Sequence, residues 1–233
     1  LVRWLNDLGE LSDVLNEEET LRSIYTTRFT DDEAGAKEYQ RFLSEVDAPS
    51  KSRFFSLFKK YLDCPHRAGL PETERVVFDR SVENLVFLFR EANVPLETEE
   101  EELSNRYRKL SGSLTVYFED REQTLQQMAR YLESPDRLKR EEAWRLIQER
   151  RLRQKESFDD LYDEMRRLRE QIAANADFQD YRGYAFQKRE RFDYGPAECE
   201  AFHEGVEKTV VPLLRKLQRN RARRMGLSFL RPW

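Results

Sequence analysis

The sequence contains few residues of the kinds that turns, disulfides and metal sites require. Of its 233 residues, eight are Gly, eight are Pro, two are Cys and two are His. Sandwiches and barrels need many turns, so this composition argues against both. Cys64 and Cys199 show no pairing pattern, and we interpret them as free thiols of a protein in a reducing compartment, the cytoplasm.

The sequence also lacks a long apolar run and a strong net charge. No apolar stretch approaches the roughly 20 residues that a membrane span needs, and we expect neither a signal peptide nor a membrane partner. The 41 basic and 45 acidic residues leave a formal net charge of −4, which does not favour a polyanion as partner. Charged residues make up 37% of the chain, a content typical of helical proteins.

The first 70 residues predict an antiparallel helical hairpin. Leucines at helical spacing fill the first helix, and Thr30 with Glu33 has the spacing of a capping box for the second. That helix is expected to end near Pro49, before a further helical run rich in Phe. The segment Cys64 to Pro71 contains two Pro and one Gly, so we predict a corner or linker there.

Residues 71–112 predict two further helices. The first should bury an apolar stripe and end at Val94-Pro95, and Thr98 with Glu101 should cap the second. The stripe comprises Phe78, Val82, Leu85, Val86 and Phe89. The acidic run from Glu99 to Glu102 would then lie in a first helical turn, where the helix dipole favours carboxylates. We prefer this interpretation to an acidic binding site.

Residues 113–133 contain the one clear strand pattern. Apolar and polar residues alternate from Leu114 to Phe118, and Gln123-Thr124 could pair back on this strand as a short hairpin. Thr124 with Gln127 has the spacing of a capping box for the next helix.

After residue 133 the pattern is helical again. Ser134-Pro135 should start one long helix with a buried Trp144, and Phe178 to Arg182 a short helix or turn. One face of the long helix would continue through Phe158, Leu161, Tyr162, Met165, Leu168 and Ile172. Tyr194-Gly195-Pro196 should open the last helix, and Pro212 should kink it. Its predicted buried stripe is Phe202, Val206, Val210, Leu213 and Leu217.

These patterns predict a mainly α fold in which a helical hairpin is followed by a multi-helix lobe with one short β-hairpin. The predicted division has three parts. They are the hairpin over 1–70, a helical lobe over 71–112, and the beginning of a second helical lobe over 113–233.

His203 lies in a sequence that resembles part of a helical zinc motif, His203-Glu204-Gly205-Val206-Glu207. A metallopeptidase needs His at both i and i+4, with the Glu after the first His as general base. Here the i+4 residue is Glu207, and the other histidine, His66, is far away in sequence. We therefore predict no catalytic residue, no metal ligand and no cofactor site in this chain. Instead, we expect His203 to be a partly buried helix residue paired with a carboxylate.

The stretch from Arg215 to Arg224 is strongly basic, but no aromatic residue follows it before Phe229. A nucleic-acid site would be expected to alternate charges with aromatics. Basic residues also complement the dipole at a helix C-terminus. We prefer this second interpretation and predict no nucleic-acid partner.

Several phrases of the sequence resemble oligoendopeptidase F, in the same order as in that family. They are ENLVFLFREANVPLETEEEELSNRYRKLSGSLTV, LTVYFEDREQTLQQMARYLESPDRLKREEAWRLIQERR, FQDYRGYAFQKRERFDYGPAECEAFHEGVEKTVVPLL and GLSFLRPW. The resemblance is strong over Val77 to Trp233 and looser over the opening hairpin. Oligoendopeptidase F belongs to the thimet-oligopeptidase-like zinc metallopeptidases.

The resemblance implies that this chain is the N-terminal, non-catalytic part of a peptidase of short peptides. In that family an H-E-x-x-H helix and a later Glu bind zinc, and we expect that motif beyond Trp233. Zinc would belong to the parent enzyme, and the missing catalytic half and oligopeptides would be the partners. This chain would form a wall of the substrate channel and expose apolar surface where the missing half packs. Whether it is itself an enzyme stays open, and the alternative is a stand-alone helical scaffold for protein interactions.

Overall fold

The computed structural model describes residues 1–233, apart from the side chain of Glu74, and is mainly helical. Its α-helices are α1 Val2–Arg28, α2 Glu33–Phe42, α3 Ala48–Leu62, α4 Glu72–Leu88, α5 Val94–Gly112, α6 Leu125–Met128, α7 Arg137–Leu152, α8 Lys155–Asn175, α9 Tyr181–Lys188 and α10 Pro196–Arg224. Two strands, β1 Thr115–Phe118 and β2 Arg121–Thr124, form an antiparallel hairpin. The predicted fold class, a helical hairpin followed by a multi-helix lobe with one β-hairpin, is confirmed.

The chain forms two compact units, each built from two separate segments. Unit 1 comprises residues 1–114 and 154–190, and unit 2 comprises residues 115–153 and 191–233. The three-part division at residues 70 and 112 stays a prediction.

In unit 1, α2 and α3 are joined by a π-helical segment, Leu43–Asp47, in which the Ala48 N–H donates to the Leu43 carbonyl. The predicted end at Pro49 is therefore wrong, because Pro49 lies in the first turn of α3, where its missing N–H costs little. The predicted cap at Thr30 is also wrong. Asp32 caps α2, and its carboxylate accepts from the Ala34 N–H at 3.0 Å.

The predicted corner between α3 and α4 is a short 3₁₀ segment, Pro65–Gly69. The stripe predicted for α4 is only partly buried, because Phe78 and Leu85 are exposed while Val82 is buried. The chain leaves the helix at Leu88, and Pro95 lies in the first turn of α5. Val94-Pro95 therefore begins α5, and the prediction that it ends the preceding helix is wrong. Thr98 lies inside α5, where its hydroxyl donates to the Val94 carbonyl, and does not cap it.

Helices α4, α5, α8 and α9 bury the main core of unit 1. This core comprises Leu88, Leu103, Leu161, Leu168, Ile172, Ala173, Ala176 and Tyr184. Asn93, which is buried before α5, donates from its side-chain amide to the Ile172 carbonyl at 3.0 Å. This hydrogen bond joins the start of α5 to α8, so a polar residue fixes the packing of two apolar helices.

The β-hairpin of unit 2 follows the predicted alternation. Leu114, Val116 and Phe118 are buried, while Tyr117 is exposed. Thr115 pairs with Thr124, and Phe118 with Arg121, so the turn has only two residues. Both of them, Glu119 and Asp120, have positive φ, as in the type I′ turn that suits the twist of two-residue hairpins.

The predicted capping box of Thr124 and Gln127 is present at the start of α6. The prediction of one long helix from Ser134-Pro135 is wrong in two respects. Asp136 caps α7 by accepting from the Leu138 N–H, and the helix ends at Leu152 before α8 begins at Lys155. The two helices contribute to different units, so their apolar faces need not continue in phase.

Helix α10 begins after Gly195 as predicted, with Pro196 in its first turn. Its predicted buried stripe is wrong, because Phe202, Val210, Leu213 and Leu217 are all more than half exposed. Apolar residues at this spacing need a neighbour to bury them, and here solvent reaches them. Pro212 lies inside the helix, and the kink there stays a prediction. Trp144 is half-buried, with its ring 5.0 Å from that of Trp233, and is not the fully buried anchor that we expected.

Candidate functional sites

His203, Glu204 and Glu207 lie on one exposed stretch of α10. The Glu204 carboxylate forms an ion pair with Lys208 at 2.9 Å. The exposure of His203 contradicts its expected partial burial. A metal ligand set needs several donors held around one point, and this surface shows no such arrangement among its described side chains.

Across the described residues, no group of three or more His, Cys, Asp and Glu could hold a metal ion. Both cysteines are free thiols. The residues present therefore do not fit the zinc that the resemblance implies for the parent enzyme, and we derive no catalytic step in this chain. Nor does any helix in the described part of the chain combine the length and hydropathy of a membrane-spanning segment.

Two carboxylates of the acidic run in α5, those of Glu100 and Glu101, form ion pairs. Glu100 accepts from Arg169 at 2.6 Å, and Glu101 accepts from Arg108 at 2.8 Å. Because α5 starts at Val94, the run does not lie in the first turn as predicted. The carboxylates instead join α5 to α8 and brace α5 itself.

A groove of about 870 Å³ crosses unit 1 and carries both charged and aromatic side chains. Among its lining residues, the Lys51 ammonium lies between Asp47 (3.0 Å) and Glu97 (3.2 Å). Burial lowers the pKa of Lys51, but the two carboxylates outweigh this effect and leave the pKa raised. Lys51 therefore stays charged, and its geometry is that of a structural ion pair and not of a nucleophile.

A polar network around Tyr131 holds the β-hairpin of unit 2. The buried Tyr131 hydroxyl accepts from Arg121 (3.2 Å), Gln123 (3.1 Å) and Arg130 (2.9 Å). The bond from Arg121 is the main cause of the lowered pKa of Tyr131. Gln123 also donates to the Phe118 carbonyl, so the network ties the hairpin to the segment after α6. Sequence analysis missed it, although a polar Gln123 opposite the buried Val116 was a signal.

The basic residues from Arg215 to Arg224 are exposed along the C-terminal half of α10. Beyond the helix, the Arg231 guanidinium lies 4.1 Å from the centre of the Phe229 ring. Aromatics do not alternate with the basic positions of the helix itself, so this surface lacks the stacking platform that single-stranded nucleic acid uses. The absence of a nucleic-acid partner stays a prediction.

Residues 130–233 match the family model of peptidase family M3. A comparison with curated proteins finds no significant match. Among solved structures, a protein assigned as oligoendopeptidase F has a TM-score of 0.89 and 26% identity, covering 95% of this chain and 39% of that one. PZ peptidase A, solved with an inhibitor, has a TM-score of 0.79 and 26% identity, covering 95% of this chain and 41% of that one.

A protein assigned as oligoendopeptidase F from Bacillus anthracis str. Ames has a TM-score of 0.88 and 22% identity, covering 96% of this chain and 41% of that one. At this identity the likeness concerns the fold. The chain thus spans about two fifths of the length of the solved structures that it matches. The resemblance to oligoendopeptidase F is confirmed, by the fold over nearly the whole chain and by the family match over residues 130–233.

Proposed function

We propose that this chain is the N-terminal, non-catalytic part of a zinc peptidase. The proposal rests on the likeness of its fold to oligoendopeptidase F and on the match of residues 130–233 to peptidase family M3. The complete enzyme hydrolyses short peptides in a channel, and this chain forms part of the channel wall. The chain alone binds no zinc and cleaves no peptide, and its partner is the catalytic remainder of the enzyme.

The observation that carries this proposal is that nearly the whole of this chain matches only a part of a longer solved structure. The match covers 95% of this chain but only 39% of the oligoendopeptidase F structure. An N-terminal part of this kind restricts access to a catalytic centre that it does not itself contain.

Exposed apolar surface is further support for a partner. In unit 1, Val76, Val77 and Phe87 are all more than half exposed on α4. Contiguous apolar patches of more than a few hundred Å² are uncommon on monomeric proteins and mark interaction surfaces. The remainder of the peptidase is the partner that would cover such surface.

The test compares this chain with a fusion of the chain to the remaining part of the oligoendopeptidase F structure. Zinc per chain is measured by elemental analysis, and cleavage is followed with quenched fluorogenic peptides of increasing length. We expect zinc and cleavage in the fusion alone, with a fall in rate once peptides exceed the size that a channel admits. Zinc with cleavage in the 233-residue chain, at its correct intact mass, would contradict the proposal.

The second candidate is a stand-alone helical scaffold for protein interactions. It is favoured by the same exposed apolar helices, since a scaffold also needs surface for a partner. Under this hypothesis the fusion shows no zinc-dependent cleavage, although its fold is intact by circular dichroism. In either case we propose a cytoplasmic location, which two free cysteines support and which a fluorescent fusion with cell fractionation tests.

A further inference from the structure

The groove of unit 1 has the size and the lining of a ligand site. Its volume of about 870 Å³ lies within the range of roughly 300–1,000 Å³ that small-molecule sites occupy. Helices α1 to α5, with α8 and α9, supply its walls, so it is built within one compact unit. Its apolar lining includes four phenylalanines, Phe42, Phe54, Phe58 and Phe89.

Negative charge is in excess along this groove. Three basic residues line it, Lys51, Arg169 and Lys188, and Arg108 adds a fourth positive charge by pairing with Glu101. The carboxylates of the lining are Glu19, Asp47, Glu97, Glu100, Glu101 and Glu190. The groove is therefore complementary to a ligand that carries positive charge.

Glu19 is a half-buried carboxylate of this lining whose partner is a neutral side chain. The hydroxyl of Tyr39, which is 1% exposed, donates to it at 2.7 Å. Burial, followed by this hydrogen bond, raises the pKa of Tyr39, so the hydroxyl remains a donor. Within the described part of the chain, Glu19 takes part in no ion pair, and its negative charge is available to a ligand.

A second carboxylate approaches the same hydroxyl from α5. Glu101 lies 3.5 Å from the Tyr39 hydroxyl oxygen, and Arg108 pairs with Glu101 at 2.8 Å. A hydroxyl has one proton to donate, so Tyr39 satisfies Glu19 while Arg108 satisfies Glu101. The two carboxylates at this hydroxyl thus share one positive charge, and a cation beside Glu19 would reduce their mutual repulsion.

We propose that this groove binds a small amphiphilic organic cation, an ammonium or guanidinium group carried on an aryl or alkyl body. The charged group pairs with Glu19, and the body lies against the phenylalanine side chains, whose ring faces also attract cations. Asn16 and Ser104, which line the same groove, offer neutral oxygens to further N–H donors of the charged group. A neutral apolar ligand would leave Glu19 without a positive partner, and an anion would be repelled.

The test is isothermal titration calorimetry of the 233-residue chain with 4-phenylbutylammonium at low ionic strength. 4-Phenylbutanol is the matched ligand control, because it keeps the body and has no charge. We expect saturable binding of the ammonium and about tenfold weaker binding of the alcohol, since a hydrogen bond to a charged group is lost. Equal affinities for the two ligands, or no saturable binding of the ammonium, would overturn the proposal.

Glu19→Gln locates the charged group of the ligand. Gln keeps an oxygen that accepts from Tyr39 but carries no charge, so the fold should be retained while the affinity for 4-phenylbutylammonium falls about tenfold. Glu17→Gln is the matched control, because it makes the same change at an exposed position of α1 outside the groove lining. It should leave the dissociation constant within about twofold. Circular dichroism verifies the fold of both variants, and equal losses of affinity would contradict the role of Glu19.

A segment of the remaining peptidase is the competing occupant of this groove. The fusion of the chain to the remaining part of the oligoendopeptidase F structure distinguishes the two. We expect the fusion to bind 4-phenylbutylammonium as the 233-residue chain does, whereas loss of binding in the fusion would show that the remainder fills the groove and would overturn the proposal. The titration uses neither zinc nor peptide cleavage, so its failure and the failure of the proposed function are separate outcomes.

Discussion

The Tyr61 hydroxyl satisfies a carboxylate that is buried between helices of unit 1. It donates to Asp79 at 2.7 Å, and Arg75 holds the other oxygen of the same carboxylate at 3.2 Å. Tyr61 is 1% exposed and Asp79 is 8% exposed. A buried carboxylate is stable only when its hydrogen bonds and a positive charge are present, so this residue pair joins α3 to α4.

Tyr61→Phe removes the hydroxyl and keeps the ring. We expect the free energy of unfolding to fall by about 1.5–3 kcal/mol, because a hydrogen bond to a charged group is lost while the carboxylate stays buried. Urea denaturation measures the change. Tyr117→Phe, on an exposed side chain, is the control and should be neutral. Equal effects of the two changes would contradict this account of Tyr61.

The same hydrogen bond predicts a response to alkaline pH. Burial, followed by the bond to Asp79, raises the pKa of Tyr61 to about 12, whereas an unfolded tyrosine titrates near 10. The folded state therefore holds this proton more tightly. Its contribution is complete below about pH 10 and is lost as the pH rises towards about 12. The difference in unfolding free energy between the unchanged chain and Tyr61→Phe should therefore shrink between about pH 10 and pH 12. A difference that stays constant over this range would show that the titration of Tyr61 does not contribute to the pH dependence of stability.

At the scale of single elements, the sequence predicted where helices exist better than where they start. Thr124 was identified correctly because both halves of its capping box are local. At α2 and α7, however, an Asp two residues after the expected Ser or Thr provides the cap. Both residue types suit the position, so sequence spacing alone does not choose between them. The π segment before α3 was also unpredictable, because only packing reveals a widened helical turn.

Burial was the least predictable property. The stripe of α10 has the spacing of a core face, yet it is exposed, because periodicity shows that a face is apolar without showing what covers it. The absence of a metal site at His203 stays a prediction from residue spacing. The Tyr131 network joins β2 to the segment after α6 through Arg121 and Gln123, and the polar Gln123 opposite Val116 was its signal in the sequence.

The hairpin turn offers a test at the element scale. Asp120 has φ of 58°, a conformation that costs less for Gly than for a residue with a Cβ. We expect Asp120→Gly to raise the unfolding free energy by about 0.5 kcal/mol, since the turn type favours Gly at this position. Thermal unfolding measures the change. Asp120→Ala is the matched control and should destabilise the chain, and stabilisation by both would show that φ is not the cause.

At the scale of the whole molecule, each unit is assembled from segments far apart in the sequence. Helices α8 and α9 provide Ile172 and Tyr184 to the core that α4 and α5 begin. Sequence patterns do not predict that distant segments share one core. They show which face of a helix is apolar, but they do not show which other helix packs against it. The order of phrases along the chain indicated the resemblance to oligoendopeptidase F, but the partition into two units required the structure.

This assembly predicts the behaviour of excised pieces. Residues 1–114 alone should bind a hydrophobic dye and unfold without cooperativity, because Leu88 and Leu103 lack the helices that cover them. Residues 1–114 joined to residues 154–190 by a flexible linker of about ten residues should fold cooperatively. Dye fluorescence and urea denaturation compare the two pieces. Cooperative unfolding of residues 1–114 alone would show that α8 and α9 are dispensable.

Because unit 1 is built from two separate segments of the chain, its parts are synthesised at different times on the ribosome. The chain emerges from its N-terminus, so α4 and α5 are complete before the helices that cover them have been translated. At about 5–20 residues per second, synthesis of residues 115–190 takes roughly 4–15 s. During that interval the nascent chain carries an open apolar surface of its own, which is the kind of surface that chaperones at the tunnel exit bind.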